Sequence, residues 1–93
     1  MKLTFEWNEA KNLANIEKHG FSFQNVSGLF YEDNVVLDSH KNREKRYILV
    51  AKYKTAVFVW VIYTIRPPNI RIISARRSKK QEIQAYIQKF NQS

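Results

Sequence analysis

The run Val57 to Ile65, VFVWVIYTI, carries no charge and is composed of β-branched, aromatic and aliphatic residues. Lys54-Thr55 offers a turn before it, and Pro67-Pro68-Asn69 follows, where ladder bonding cannot be sustained. So bounded, the run predicts a central strand covered on both faces, and the rest of the chain must supply its neighbours. From Arg46, Tyr47, Leu49 and Ala51 alternate with Ile48, Val50 and Lys52, which predicts a strand on one side. Ile70 to Ala75 resumes after the prolines and should pair antiparallel on the other. Val35 to Leu37 reads as a short strand between Asp33-Asn34 and Asp38, and Leu3 to Trp7 as either a first strand or an irregular lead-in. Ser39 to Lys45, polar throughout, is expected to be a solvated loop.

Helix signals sit at both ends. Asn8 suits an N-cap, Glu9 the first turn, Lys18 and His19 the last turn, and Gly20 a left-handed C-cap, so residues 9–19 should be helical. The apolar residues there, Ala10, Leu13 and Ala14 with Ile16 at the margin, are expected to form its buried stripe. A second helix is predicted from Ser22, with Phe23, Val26, Leu29 and Phe30 facing the core. Near the C-terminus, Ser78 and Gln81 fit a capping box, and Ile83, Tyr86, Ile87 and Phe90 fall at i, i+3, i+4 and i+7. The expectation is an α+β domain over residues 1–93: two N-terminal helices, an antiparallel sheet of three to five strands with helices on one face, and a C-terminal amphipathic helix.

Charge narrows the function classes. Sixteen Lys and Arg against eight Asp and Glu give a net charge of +8, which suits nucleic acid or an acidic protein partner. Without cysteine there is neither a disulfide nor a thiolate metal site, and His19 and His40 have no partner at a metal-ligand spacing, so neither metal nor cofactor is expected. The longest apolar run is about half of the roughly 20 residues a membrane-spanning helix needs, and the N-terminus lacks a secretory apolar segment. A soluble cytoplasmic protein with no membrane partner is the expectation.

The cations are placed unevenly. Between Tyr63 and Lys80, Arg66 leaves one strand, Arg71 enters the next, and Arg76, Arg77, Lys79 and Lys80 gather where that strand should yield to a helix. Guanidinium groups at strand ends suit phosphate. In an unbroken strand Arg76 and Arg77 point oppositely and Arg71 shares parity with Arg77, unless a bulge intervenes. His19 titrates nearest neutrality, and as a cation at a helix C-terminus it is either an acid or simply a cap. Lys11 and Lys18 share one helix face, where Glu9 and Glu17 make ordinary solvation the plainer reading. Lys41, Arg43, Lys45 and Arg46 either hold a backbone or are solvated, and a solvated role is expected of His40. Trp60 and Phe58 share a strand face and read as packing rather than base stacking; Tyr63 and Tyr86 can bury a ring while presenting a hydroxyl.

WNEAKNLANIEKHGFSF at Trp7 to Phe23, followed by YTIR at Tyr63 to Arg66 and RIISARR at Arg71 to Arg77, resembles the BrnT toxins of bacterial type II toxin-antitoxin pairs. The marks are Trp7, Glu9, Lys11, Asn15, Lys18, His19 and Gly20 in front, and Arg71, Ile73, Ser74, Ala75, Arg76, Glu82 and Tyr86 behind. The resemblance implies a RelE/ParE-like sheet and a metal-independent ribonuclease that halts translation. It also implies a BrnA-like ribbon-helix-helix antitoxin that neutralises the toxin, with operator DNA bound only through the complex. Two positions depart from the pattern: Pro67-Pro68 stands where members often carry Gly, and Lys52 stands at another such position.

Cutting RNA without a metal requires activating the 2′-hydroxyl, stabilising extra charge on phosphorus and helping the 5′-oxygen leave. Arginines answer the second need, and DNA, lacking the 2′-hydroxyl, would survive. Arg66 and Arg76 are the first candidates, then Arg71 and Arg77, with His19 as an acid; Lys11, Lys18, Lys79, Lys80, Lys41 and Arg43 are candidate RNA contacts. The alternative is a non-catalytic basic module that binds nucleic acid or an antitoxin.

Overall fold

The computed structural model describes residues 2–39 and 44–91. Its elements run β1 (Phe5–Glu6), α1 (Glu9–His19), α2 (Phe23–Ser27), a 3-10 turn (Gly28–Tyr31), β2 (Asn34–Ser39), β3 (Arg46–Lys54), β4 (Val57–Arg66), β5 (Asn69–Arg77) and α3 (Lys80–Phe90). The strands form one sheet in the order β1-β5-β4-β3-β2, antiparallel except for β1, which runs parallel to β5. The charge-free run therefore takes the central position its composition requires. The β4–β5 turn contains a cis Pro67–Pro68 peptide.

Phe23, Val26 and Leu29, from α2 and the 3-10 turn, pack on Leu49, Val59, Val61 and Ile72 across β3, β4 and β5. The second helix is shorter than expected: Ser22 Oγ accepts from the Asn25 amide, but the helix gives way at Gly28 to the 3-10 turn that carries Leu29 and Phe30. The helices do not share one sheet face, as the sequence reading had it. Phe58, opposite Lys52, and Trp60, opposite Val50, project from the other face. There α3 meets them, with Tyr86 edge-on to Phe58 at 5.1 Å and Glu82 paired with Arg76. The second face is thus covered at its Phe58–Trp60 end, while Arg66, six residues on at about 20 Å along the strand, is exposed.

Both ends of α1 follow local chemistry. Asn8 accepts from the Lys11 amide, and Gly20 adopts φ 81°, a left-handed conformation that a Cβ would strain. Its buried face is the reverse of the apolar stripe. Leu13 and Ile16 are 59% and 40% exposed, Ala10 and Ala14 are exposed too, and the buried residues are Asn12 and Asn15. The cause is the short β1, which pairs with β5 only at Ile70 and Arg71. Farther along β5, Asn15 Nδ2 donates to Ala75 O (2.9 Å) and Asn15 Oδ1 accepts from Ala75 N (3.1 Å), so one amide replaces a missing strand. Asn12 Oδ1 accepts from the Phe23 amide (2.8 Å), an N–H in the first turn of α2 that has no intrahelical partner.

Two further departures shape the site. Ile62 pairs with Ser74 but Tyr63 with Ile72, so Ile73 is a bulge that inserts one residue into β5. The α3 cap is also shifted by one. Lys79 is the N-cap and Glu82 Oε1 accepts from the Lys79 amide (2.7 Å), in place of the expected Ser78–Gln81 box. Ser78 is still held by the sheet, its amide donating to Phe58 O (2.8 Å), and Glu82 can serve the cap and Arg76 together.

Candidate functional site

The bulge changes which arginines share a face. Beyond it, Arg76 pairs with Trp60; before it, Arg71 pairs with Thr64, and Arg66 pairs with Asn69 across the hairpin end. Trp60, Thr64 and Arg66 alternate on one side of β4, so Arg66, Arg71 and Arg76 lie on the same sheet face, away from the core. Arg77 pairs with buried Val59 and belongs to the opposite face. This corrects the parity of an unbroken strand, which put Arg71 with Arg77.

Sharing a face does not bring all three together. Arg76 lies over the Trp60 ring at 4.0 Å, donates to Glu82 Oε1 and Oε2 (3.2 and 2.9 Å), and donates to Arg77 O (2.8 Å). Its side chain is 23% exposed, with much of its donor capacity used inside the protein. Arg66 and Arg76, the first two candidates, stand at opposite ends of the face and cannot grip one phosphate.

A different group converges at the hairpin end. Arg71 Nη1 donates to Glu6 Oε2 (2.7 Å), and Asn69 Nδ2 donates to Glu6 Oε1 (2.9 Å). Arg66 forks onto Glu44, Nε to Oε2 at 3.0 Å and Nη2 to Oε1 at 3.4 Å. Arg46, opposite Thr64 on the same face, has a buried Nε with no hydrogen-bond partner among the described residues. Hydrogen bonds from Asn69 and then Arg71 hold the Glu6 carboxyl below the ordinary glutamate value, against a smaller opposing effect of burial. Glu44 is lowered chiefly by its hydrogen bond from Arg66, and that same bond, then the Glu44 charge, raises Arg66. Glu6 and Glu44 were absent from the sequence-derived site, and Arg46 entered the sequence reading only as a backbone contact or a solvated charge. The available signals were the parallel register of Glu6 with Arg71 and the pairing of Arg46 with Thr64, both long-range.

The edge of β5 carries a second feature. Lys11, Ala14, Asn15, Lys18 and His19 of α1 line a shallow cleft of about 270 Å³ with Ile73 and Ser74 of β5. The cleft sets two lysines and a histidine beside Ser74, which lies on β5 between Arg71 and Arg76. Lys79 and Lys80 are exposed at the start of α3; Lys41, Arg43 and His40 lie outside the described residues. Tyr63 packs between Phe30 and Tyr47, and burial raises its phenol, so its hydroxyl stays neutral. Tyr86 lines a separate pocket of about 320 Å³ with Tyr31, Glu32, Asp33 and Lys52. Trp7 packs edge-on to Phe23 at 6.2 Å, a core contact. Among the described residues no three His, Cys, Asp or Glu side chains are grouped to hold a metal ion, and no helix is long and apolar enough to cross a membrane.

This face presents fixed guanidinium groups, an ionised carboxylate beside them and a flanking lysine cleft, an arrangement that can bind a polyanion and stabilise charge developing on phosphorus. Comparison with curated proteins returns no match. Among solved structures, the chain is similar to the Brucella abortus ribonuclease toxin BrnT, with a TM-score of 0.70 at 21% identity over 85% of this chain and 100% of that one, which establishes a shared fold. Residues 7–82 match the family described as ribonuclease toxin, BrnT, of type II toxin-antitoxin system. That span includes the segments Trp7 to Phe23, Tyr63 to Arg66 and Arg71 to Arg77 and every arginine of the open face, and the chain belongs to the BrnT family of ribonuclease toxins.

Proposed function

We propose that this toxin is a metal-independent RNA endonuclease that inhibits translation, and that its RNA lies along the open sheet face from the Arg66–Arg71 end past the α1–β5 cleft. The observation that carries the reading is the hairpin register of β4 and β5, with Thr64 opposite Arg71 and Arg66 opposite Asn69, which sets Arg71 and Arg66 side by side on the face away from the core. Arg66 and Arg71 stabilise the charge of the phosphorane. Lys11, Lys18 and His19 hold the flanking strand from the cleft, and Lys79 and Lys80 extend the basic track. Arg76 contributes by position, tying α3 to β5, and Arg77 serves the opposite face. The five-stranded sheet with its flanking helices is in this reading a RelE/ParE-like arrangement in a cytoplasmic protein.

A ribbon-helix-helix antitoxin, encoded beside the toxin, covers this face and neutralises it, and the complex represses the operon by binding operator DNA through the antitoxin. The open face and the net charge of +8 support an acidic segment as the covering element.

The test is incubation of purified protein with RNA, the same sequence as DNA, and 2′-O-methyl RNA, all in EDTA. Cleavage of RNA alone is the expected result. Binding that weakens steeply with salt and leaves every strand intact would reduce the protein to a nucleic-acid-binding module.

A further inference from the structure

We infer that Glu6 is the general base of the proposed cleavage, set beside the scissile phosphate by Arg71. The inference rests on the nuclease reading and supplies the group that reading lacks, an acceptor for the 2′-hydroxyl proton.

Three glutamates accompany the arginines of the face, and their surroundings separate them. Glu82 is 18% exposed, and its oxygens already accept from the Lys79 amide and twice from Arg76. Glu44 gives both oxygens to the fork of a single guanidinium, in the segment before β3. Glu6 is held on a strand, 32% exposed, with one partner on each oxygen. An ionised carboxylate has about four lone-pair sites, so each Glu6 oxygen retains one for a substrate hydroxyl. His19 lines a cleft that contains no arginine, whereas Glu6 touches Arg71 and lies near enough to Arg66 to feel its charge. Base and charge-stabilising groups thus occur together only at the hairpin end among the described residues.

The step balances without a further reactant besides water. The Glu6 carboxylate takes the proton of the ribose 2′-hydroxyl while the 2′-oxygen bonds to phosphorus. Arg71 and Arg66 donate to the phosphorane oxygens. The bond from phosphorus to the 5′-oxygen breaks with its electron pair on that oxygen, which takes a proton from water, and Glu6 returns its proton to the hydroxide left behind. The products are a 2′,3′-cyclic phosphate and a 5′-hydroxyl. Hydrogen bonds from Asn69 and Arg71 keep Glu6 deprotonated through neutral pH, in the form that accepts a proton, and make it a weak base.

The experiment compares wild type, Glu6→Gln and Glu6→Asp in EDTA, reading cleavage, affinity for uncleavable 2′-O-methyl RNA, and the pH dependence of kcat/KM. Glu6→Gln should cut about 10²-fold to 10⁴-fold more slowly, bind the analogue nearly as well, and lose the acid limb of the profile. Glu6→Asp should recover part of the rate and keep that limb. Full activity in Glu6→Gln, or an acid limb unchanged in it, would overturn the assignment. A loss of binding as large as the loss of cleavage would overturn it too, by reducing Glu6 to a positioning residue for Arg71. Wild type that cuts no RNA would sink the nuclease reading and this inference together, whereas active wild type with active Glu6→Gln sinks this inference alone.

Discussion

The two ends of the open face set the same chemical pair in different surroundings. At the α3 end Arg76 and Glu82 are 23% and 18% exposed, the guanidinium stacked on Trp60 and the carboxylate shared with a helix cap. At the hairpin end Arg66 and Glu44 are 50% and 37% exposed, Arg71 and Glu6 are 26% and 32% exposed, and no helix among the described residues caps or pairs with them. An arginine with a carboxylate, a carbonyl and an aromatic ring has little left for a substrate. An arginine with one carboxylate at a wet surface can exchange or share it with a phosphate at small cost. Residue type alone cannot tell a tie from a binding group; the coverage around it can.

The largest expected effect tests the hairpin end. Arg71→Ala should slow RNA cleavage by about 10²-fold to 10³-fold, the usual consequence of removing one donor aimed at developing charge. Its thermal unfolding should move less than that of Arg76→Ala, because this pair is half-exposed, free of any helix cap, and screened by the water beside it. Cleavage kinetics beside a melting curve would check both, and a destabilised but fully active Arg71→Ala protein would reverse the roles of the two ends.

Arg76→Ala should show the converse. It removes the bonds to Glu82 and Arg77 O and the Trp60 stack, leaving a mostly buried carboxylate short of donors. A loss of about 2 kcal/mol is expected, roughly 10 °C in Tm for a chain of this length. At a temperature where the variant remains folded, its cleavage rate should exceed that of Arg71→Ala. Equal rates under those conditions would extend the reactive site to the α3 end.

The parts of this arrangement legible in the sequence are those set by neighbours in the chain. Asn8 and Gly20 bound α1 through caps that span a few residues, and β4 announces itself by composition. What the sequence concealed is set from a distance. Asn12 and Asn15 are buried because Phe23 and Ala75 bring unpaired backbone groups to them, the second from sixty residues away, so the apolar stripe was assigned inward when it faces out. The bulge at Ile73 is a property of β4 and β5 together, and it alone reverses the parity of Arg71. Two overlapping caps, Ser78–Gln81 and Lys79–Glu82, were open to α3; Glu82 prevails because Arg76 gives it a second partner. Residue type found the arginines, while Glu6 escaped notice in a strand of two residues.

The smallest expected effect concerns acid. Glu6 and Glu44 both titrate below the ordinary glutamate value of 4.5 because hydrogen bonds to Asn69, Arg71 and Arg66 favour their charged forms. A carboxyl depressed in the folded state contributes stability that is fully present above its unfolded value and lost as pH falls through its folded value. Wild type should therefore lose stability as pH drops from just above 4.5 to below the depressed values, and the loss should be modest because water and salt screen these pairs. Urea midpoints for wild type and an Arg66→Ala, Arg71→Ala double variant would isolate the contribution. The variant lacks the guanidinium partners, so its curve should fall less steeply over that window, and the gap between the two proteins should narrow in high salt. Parallel curves would mean that the hairpin-end pairs do not stabilise the fold, leaving binding and chemistry as the only roles for these charges. A gap that persists in high salt would show them shielded from water, and the contrast with the Arg76–Glu82 tie would fail.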